Sequence, residues 1–216
     1  DATTAPVVLG GAGTGGFSVS GAEFALLGAP TIVAGSNTQA ADITVAGPLS
    51  ASGALTLQND GGGNIAVNGA INATQVGLLS AGNITQSAAG AINATSLLAR
   101  SLQGSVDLRN PANNVAVVGG GAAGGFGYVD ANAVTIGAPS VAGFDAATNQ
   151  AATAGVASMA ANTVFVRTLA DDLTLGTTVA GGAGTDLVAA ARFQNPGGFA
   201  IGGGAWRIWA DTWVGE

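Results

Sequence analysis

The chain has 216 residues, of which 37 are Gly, 48% are hydrophobic and only 8% are charged. Five scattered Arg (Arg100, Arg109, Arg167, Arg192 and Arg207), with no Lys or His, face twelve acids for a net charge of -7, which excludes the clustered basic surface that nucleic-acid binding needs. The absence of Cys removes disulfides and thiolate metal sites, so much Gly penalises every helix interior, and recurrent β-branched runs with little charge exclude disorder.

An all-β chain with many tight turns is left. Short strands follow one another: Ile43-Thr44-Val45, Leu55-Thr56-Leu57, Ile65-Ala66-Val67, Ile84-Thr85-Gln86, Val106-Asp107-Leu108, Val115-Ala116-Val117, Val134-Thr135-Ile136 and Leu173-Thr174-Leu175. All but Ile84-Thr85-Gln86 are apolar–small or polar–apolar triplets, the pattern of a strand with one buried face. Turn residues separate them, as in Asn59-Asp60-Gly61-Gly62-Gly63 and Asn110-Pro111. Gly-Ala-Ile-Asn-Ala-Thr begins at Gly69 and again at Gly90. That shift is one coil of a solenoid.

A longer repeat is superimposed. Val8-Leu9-Gly10-Gly11, Gly15-Gly16-Phe17 and Gly28-Ala29-Pro30 return, at one constant offset and without a gap, as Val117-Val118-Gly119-Gly120, Gly124-Gly125-Phe126 and Gly137-Ala138-Pro139. The second copy then carries an Ala/Thr-rich insertion near 144–160 and rejoins the pattern at Asp172-Leu173-Thr174-Leu175. The expected organisation is one rod, residues 1–216, of two imperfect modules (about 1–110 and 111–216) ending in a Trp-rich stretch at 203–216. The expected fold is a right-handed single-stranded parallel β-helix of roughly ten coils, a rod of about 50 Å. Abundant Ala predicts a thin core with closely approaching faces. The chain starts and stops in mid-module, so a segment of something longer, or a processed product, is expected.

The motif order Gly53-Ala-Leu-Thr-Leu, Gly69-Ala-Ile-Asn-Ala, Gly82-Asn-Ile-Thr-Gln, Gly90-Ala-Ile-Asn-Ala, Gly104-Ser-Val-Asp-Leu and Asn113-Asn-Val-Ala-Val-Val-Gly resembles the repetitive region of filamentous haemagglutinin-type exoproteins of two-partner secretion. The closing Phe193-Gln-Asn-Pro-Gly-Gly-Phe and Gly203-Gly-Ala-Trp-Arg-Ile-Trp-Ala-Asp are similar to that family's module end, with Trp206-Arg207 in place of Arg-Trp. The resemblance covers nearly the whole chain. It implies export through an outer-membrane transporter and a role at the bacterial surface in adhesion, aggregation or biofilm.

Catalysis is not expected. A β-helix enzyme needs two or three carboxylates, or carboxylates with Lys, Arg or Ca²⁺, on one face of neighbouring coils. Here Asp42, Asp60, Asp107, Asp130, Asp145, Asp171, Asp172, Asp186 and Asp211 sit mostly beside turns, with only Glu23 and the terminal Asp1 and Glu216 besides. Asp171-Asp172 lacks the Gly-Gly-x-Gly-x-Asp tandem of calcium β-rolls, so no metal is expected. The Gly runs at 61–63, 119–121 and 202–204 are turns, since no Lys-Ser/Thr follows them, and no cofactor is expected. Asn72, Asn83 and Asn93 head Asn-x-Thr triplets that fit a glycosylation pattern, though Asn and Thr are common throughout.

All three Trp stand at or beyond position 206. The spacings of Trp206, Trp209 and Trp213 would share one face of a helix, so an amphipathic end helix is one reading. A strand plus turn covering the core is the preferred one. With Arg207, these Trp are the candidate contact patch or end cap. No window approaches 18 uninterrupted apolar residues, so no transmembrane helix is expected. The expected function is a non-catalytic adhesive rod, secreted or on the cell surface, meeting a host or matrix glycan or protein. The alternative is a filament or matrix subunit that stacks end to end, and a polysaccharide-active enzyme is the least favoured.

Overall fold

The computed structural model describes residues 4–13 and 16–213. It is a β-solenoid of about nine turns built from parallel strands, with almost no helix. No helix among the described residues is long and apolar enough to cross a membrane.

One coil shows the construction. Ile43–Val45 lies on a first ladder, Leu49–Ser50 on a second and Ala54–Asn59 on a third, before the chain climbs to Ile65–Val67 on the first again. Alternation along each short strand sends every second residue inward. In-register stacking then converts that alternation into columns. On the first ladder Val7, Ile43, Ile65, Ile84, Val106, Phe126, Val164 and Thr185 stand one above another, all buried. The steps from Ile43 through Ile65, Ile84 and Val106 to Phe126 are nearly equal in chain length, as a repeating coil requires. The third ladder stacks Leu55, Val76, Leu97 and Val118.

The core is filled by Val, Ile and Leu, and few Ala are fully buried. Ala enters this core less than its abundance suggests: Ala51, Ala73 and Ala94 pack only from the corners. Size is adjusted coil by coil instead. Leu57, Leu78, Ala99 and Gly120 form one inward column of falling volume. A Cβ on Gly120 would stand 2.7 Å from the Phe126 ring, so an aromatic ring on one ladder meets a glycine on the other, as close packing requires.

The next step, from Phe126 to Val164, is nearly twice as long as those before it. The extra chain is an antiparallel hairpin, Ser140–Asp145 against Gln150–Gly155, which overlaps the Ala/Thr-rich stretch at 144–160. It absorbs most of a coil's length, and the turn count is accordingly below the expected ten. Its tip is closed by Asp145, whose carboxylate accepts from Ala147 N and Thr148 Oγ1, and by Asn149 at φ 54°, a conformation Asn tolerates. The hairpin lies on the outer side of the third ladder. Val141 joins Leu79 and Leu98 in a second small apolar cluster, over the space left open by Gly77. Phe144 N donates to Gln58 Oε1 (2.8 Å), Gln75 Nε2 to Ser140 O (2.8 Å) and Asn37 Nδ2 to Asp145 Oδ1 (2.8 Å).

Residues equated by the longer repeat are placed alike at one position and differently at another. Phe17 and Phe126 both occupy the first ladder. Val8 lies there too, whereas Val117 lies on the third. The difference is local to the first coil, where Val7–Leu9 and Phe17–Val19 pair with each other. A single helical turn, Gly21–Phe24, follows, closed by the reciprocal Ser20–Glu23 capping box.

Two buried polar knots tie neighbouring coils. Asn113, fully buried, accepts from Ile92 N, exchanges amide hydrogen bonds with Gln86, and donates to the carbonyls of Leu108 and Val129. One coil above, Asp130 accepts from Tyr128 Oη (2.5 Å), Val115 N and Asn132 N. Burial pushes the Asp130 carboxyl above the ordinary carboxylate range, against the pull of those three hydrogen bonds.

Each knot has a measurable consequence. Asn113→Ala strands several buried backbone groups at once and lowers stability by about 3 kcal/mol, read as a drop in the urea midpoint. Because the folded pKa of Asp130 is raised, the native state holds its proton longer than the unfolded chain does. Its contribution to stability is therefore complete below the ordinary carboxylate range and is lost as pH rises through the raised value. Asp130→Asn flattens that fall in a midpoint-versus-pH series, and an unchanged slope would refute the assignment.

Candidate functional site

The Trp-rich end is strand, not helix: Trp206–Trp209 and Thr212–Trp213 are the last two strands. This agrees with the strand-plus-turn reading and discards the amphipathic helix. Trp206 pairs with Thr185 and so continues the inward column, while Trp209 pairs with Val188 on the outward side. Both are more than half exposed. Arg207 pairs with Asp186 and points outward, donating from Nε and Nη2 at 2.6 Å to the two carboxylate oxygens. The backbone of Trp213 pairs with Phe193, and its side chain lies outside the described residues. Trp206 and Trp209 thus lie on opposite sides of one strand and do not form a single patch.

The aspartates are distributed as pairs rather than gathered. Asp60 meets Arg100, Asp107 meets Arg109, Asp172 meets Arg192 and Asp186 meets Arg207. The Arg hydrogen bonds hold the Asp172 and Asp186 carboxyls below the usual carboxylate range. Asp171, at φ 64°, occupies a turn. No group of three or more metal-ligating side chains occurs among the described residues, and Asp1 and Glu216 lie outside them.

The three Asn-x-Thr triplets separate into two environments. Asn83 belongs to a corner column with Asp42, Asn64 and Ser105. Each side chain in turn accepts from a backbone N–H one coil above: Asn64 N to Asp42 Oδ1 at 2.7 Å, Asn83 N to Asn64 Oδ1 at 2.9 Å, Ser105 N to Asn83 Oδ1 at 2.9 Å. Asn72 and Asn93 stand instead on the second ladder, exposed and in register with each other and with Asn114. Asn93 Nδ2 reaches Asn72 Oδ1 at 3.4 Å, and Asn132 Nδ2 reaches Asn114 Oδ1 at 3.3 Å. Beside this row run Thr74 and Thr95, with Ala73 and Ala94 between the rows. The result is a shallow groove of about 560 Å³ along the rod, lined by amides, hydroxyls and methyls without a charge.

Outward on the first ladder the character changes along the rod. The column reads Val8, Thr44, Ala66, Thr85, then Asp107, Gly127, Phe165, Asp186 and Arg207. Arg109 lies over the Phe165 ring, 5.3 Å from its centroid. Arg109, Phe165 and Asp186 carry no sequence motif, and Asn114 has no Asn-x-Thr pattern. Asn114 is followed by Val-Ala rather than x-Thr, and Phe165 comes into line only because the hairpin takes Ser140 to Gly155 out of the coil path.

The two Asn environments predict different costs. Asn83→Ala leaves the Ser105 N–H without its acceptor and lowers stability by about 1 kcal/mol. Asn72→Ala and Asn93→Ala stay within about 0.5 kcal/mol of the parent. Urea midpoints in the reverse order would contradict the corner-column assignment.

The chain is a β-solenoid repeat region, and no protein-family model, curated protein or solved structure matches it.

Proposed function

We propose that this chain is a non-catalytic adhesive rod from a secreted bacterial surface protein of the filamentous haemagglutinin type, exported through an outer-membrane transporter. The observation that carries the reading is the uncharged groove of Ser50, Asn72, Asn93 and Asn114 beside Thr74 and Thr95. Stacked coils repeat the same donors and acceptors at about 4.8 Å. A surface of this kind makes many weak contacts in a line, and summed contacts give avidity without any single deep pocket. The motif order from Gly53 to Gly119 supports the family.

A second reading, a filament subunit, is favoured by one observation. Phe17 and Trp206 occupy the same inward column at opposite ends of the described rod and are each 56% exposed. A second copy stacked end to end would continue the ladder and cover both rings, a heterologous contact that does not close.

Beads coated with the full chain are expected to attach to host-cell or biofilm-matrix surfaces. The triple variant Asn72→Ala, Asn93→Ala, Asn114→Ala should bring attachment down to the uncoated level at unchanged stability. Equal attachment by parent and variant would remove the groove from the reading. Negative-stain electron microscopy over a concentration range decides the second reading, since fibres of uniform width that Trp206→Ala abolishes would establish stacking, and isolated short rods would discard it.

A further inference from the structure

We propose that the groove between the Asn row and the Thr row is a self-docking surface, through which two copies of this chain lie side by side. This rests on the reading of that groove as a contact surface and names what contacts it: a second copy of the same rod, running parallel.

Shape is the first reason. Ser50, Asn72, Asn93 and Asn114 form one exposed ridge, in register from coil to coil. Thr74 and Thr95 form the other, exposed and linked by the Thr95 N–H donating to the Thr74 carbonyl at 2.9 Å. Half-buried Ala51, Ala73 and Ala94 make the floor between them. A ridge beside a groove is self-complementary under a two-fold axis that runs along the rods, since each Asn ridge then enters the other copy's Ala floor. An axis across the rods would set ridge on ridge and groove on groove. The rods therefore lie parallel.

Period is the second reason. The amides repeat at the coil spacing of about 4.8 Å. An extended peptide presents one face every ~6.8 Å, and an α-helix completes a turn every ~5.4 Å. Either falls out of step within a few coils, whereas a second rod meets every coil alike. Each amide also carries both donors and an acceptor, and the bond from Asn93 Nδ2 to Asn72 Oδ1, at 3.4 Å, uses only part of that capacity. An identical row is its complement, as in the Asn ladders that pair identical surfaces.

Charge is the third. Each copy carries -7, so two copies repel, yet none of the residues lining this groove is charged. On the same coils Asp60 and Arg100 pair across the outer face of the third ladder, and Asp107 and Arg109 pair beside the first. Two copies thus meet across a neutral strip, and the repulsion left acts over distances that salt screens. Added salt strengthens such a pair, the opposite of what it does to a partner held by ion pairs. A neutral glycan would escape the repulsion too, but the groove offers no aromatic ring for a sugar face to stack on. The groove spans about four coils, or ~20 Å, which gives a small interface that dissociates on dilution.

The test is sedimentation velocity of the full chain from micromolar to millimolar concentration, with NMR of the Asn side-chain amides. A monomer–dimer equilibrium is expected that stops at the dimer, shifts the Asn72, Asn93 and Asn114 signals, and tightens with salt. Asn93→Asp places like charges in the interface and weakens the dimer at least about tenfold at low salt. Thr153→Asp, on the exposed hairpin strand, leaves it unchanged. Asn72→Ala combined with Asn93→Ala weakens it about tenfold. Because the chain has no Cys, a spin label at Asp211→Cys is unique. Parallel rods hold the two labels at one height, whereas opposed rods hold them about 50 Å apart. Thermal midpoints establish that each variant is folded. A monomer at every concentration, growth past the dimer, indifference to Asn93→Asp, or distant labels would each overturn the proposal. So would a neutral oligosaccharide that fills the groove of a chain that stays monomeric. Attachment of coated beads without a dimer sinks the pairing and leaves the adhesive reading standing, and a dimer without attachment does the reverse.

Discussion

Parallel in-register pairing is the constraint on which everything else in this molecule depends. Each strand of a coil gives its backbone hydrogen bonds to the coils above and below, so the spacing between coils is fixed at about 4.8 Å and residues a coil apart must share one environment. A β-branched or long apolar side chain at one inward position therefore calls for another beneath it, as Ile43, Ile65, Ile84 and Val106 show. Polar side chains obey the same rule in two ways. At the corners they bridge coils through backbone N–H groups, as Asp42, Asn64, Asn83 and Ser105 do. On open faces they repeat the same group outward, as Asn72, Asn93 and Asn114 do.

The same constraint explains where polar groups are tolerated inside. A solenoid has no second layer to hide an irregular turn, so a coil that ends short must satisfy its carbonyls from within. Asn113 and Gln86 do this between the coils that carry Ile84 and Val106, and one coil later Asp130 serves the donors instead, accepting from the Val115 and Asn132 N–H groups and the Tyr128 hydroxyl. Tyr128 and Phe126 fit because the facing column has shrunk from Leu57 and Leu78 to Ala99 and Gly120. Ring volume and polar satisfaction change together at this level of the rod.

Much of the architecture was readable from the sequence because the columns are written in it. The triplets from Ile43-Thr44-Val45 to Leu173-Thr174-Leu175 all fall on strands, and the shift from Asn72 to Asn93 is one coil step in the structure. The Ser20–Glu23 capping box was also present as a local signal, although no helix was expected there. What could not be read is what depends on the path between coils. Ala content pointed to a thin core, but alternation placed most Ala at corners and outer positions. The hairpin was visible as irregular composition, not as a fold. Arg109, Phe165, Asp186 and Arg207 are scattered along the chain and carry no common motif, so only the register, with the hairpin looped out, brings them to one groove.

The hairpin has a further consequence for how the rod assembles. Most pairings join residues a coil apart, and an array of that kind grows by nearest-neighbour steps that require little loop closure. The Asn37–Asp145 hydrogen bond spans 108 positions, and Phe144 reaches back 86 to Gln58. A chain that folds progressively from its amino-terminal side would complete the coils around Ala54–Asn59 and Gln75–Ser80 with their outer face bare, Leu79 included. That face is covered only when Ser140–Asp145 arrives. The earliest coils therefore reach their final stability late, and the hairpin turns a series of locally additive steps into one with a long-range closing event.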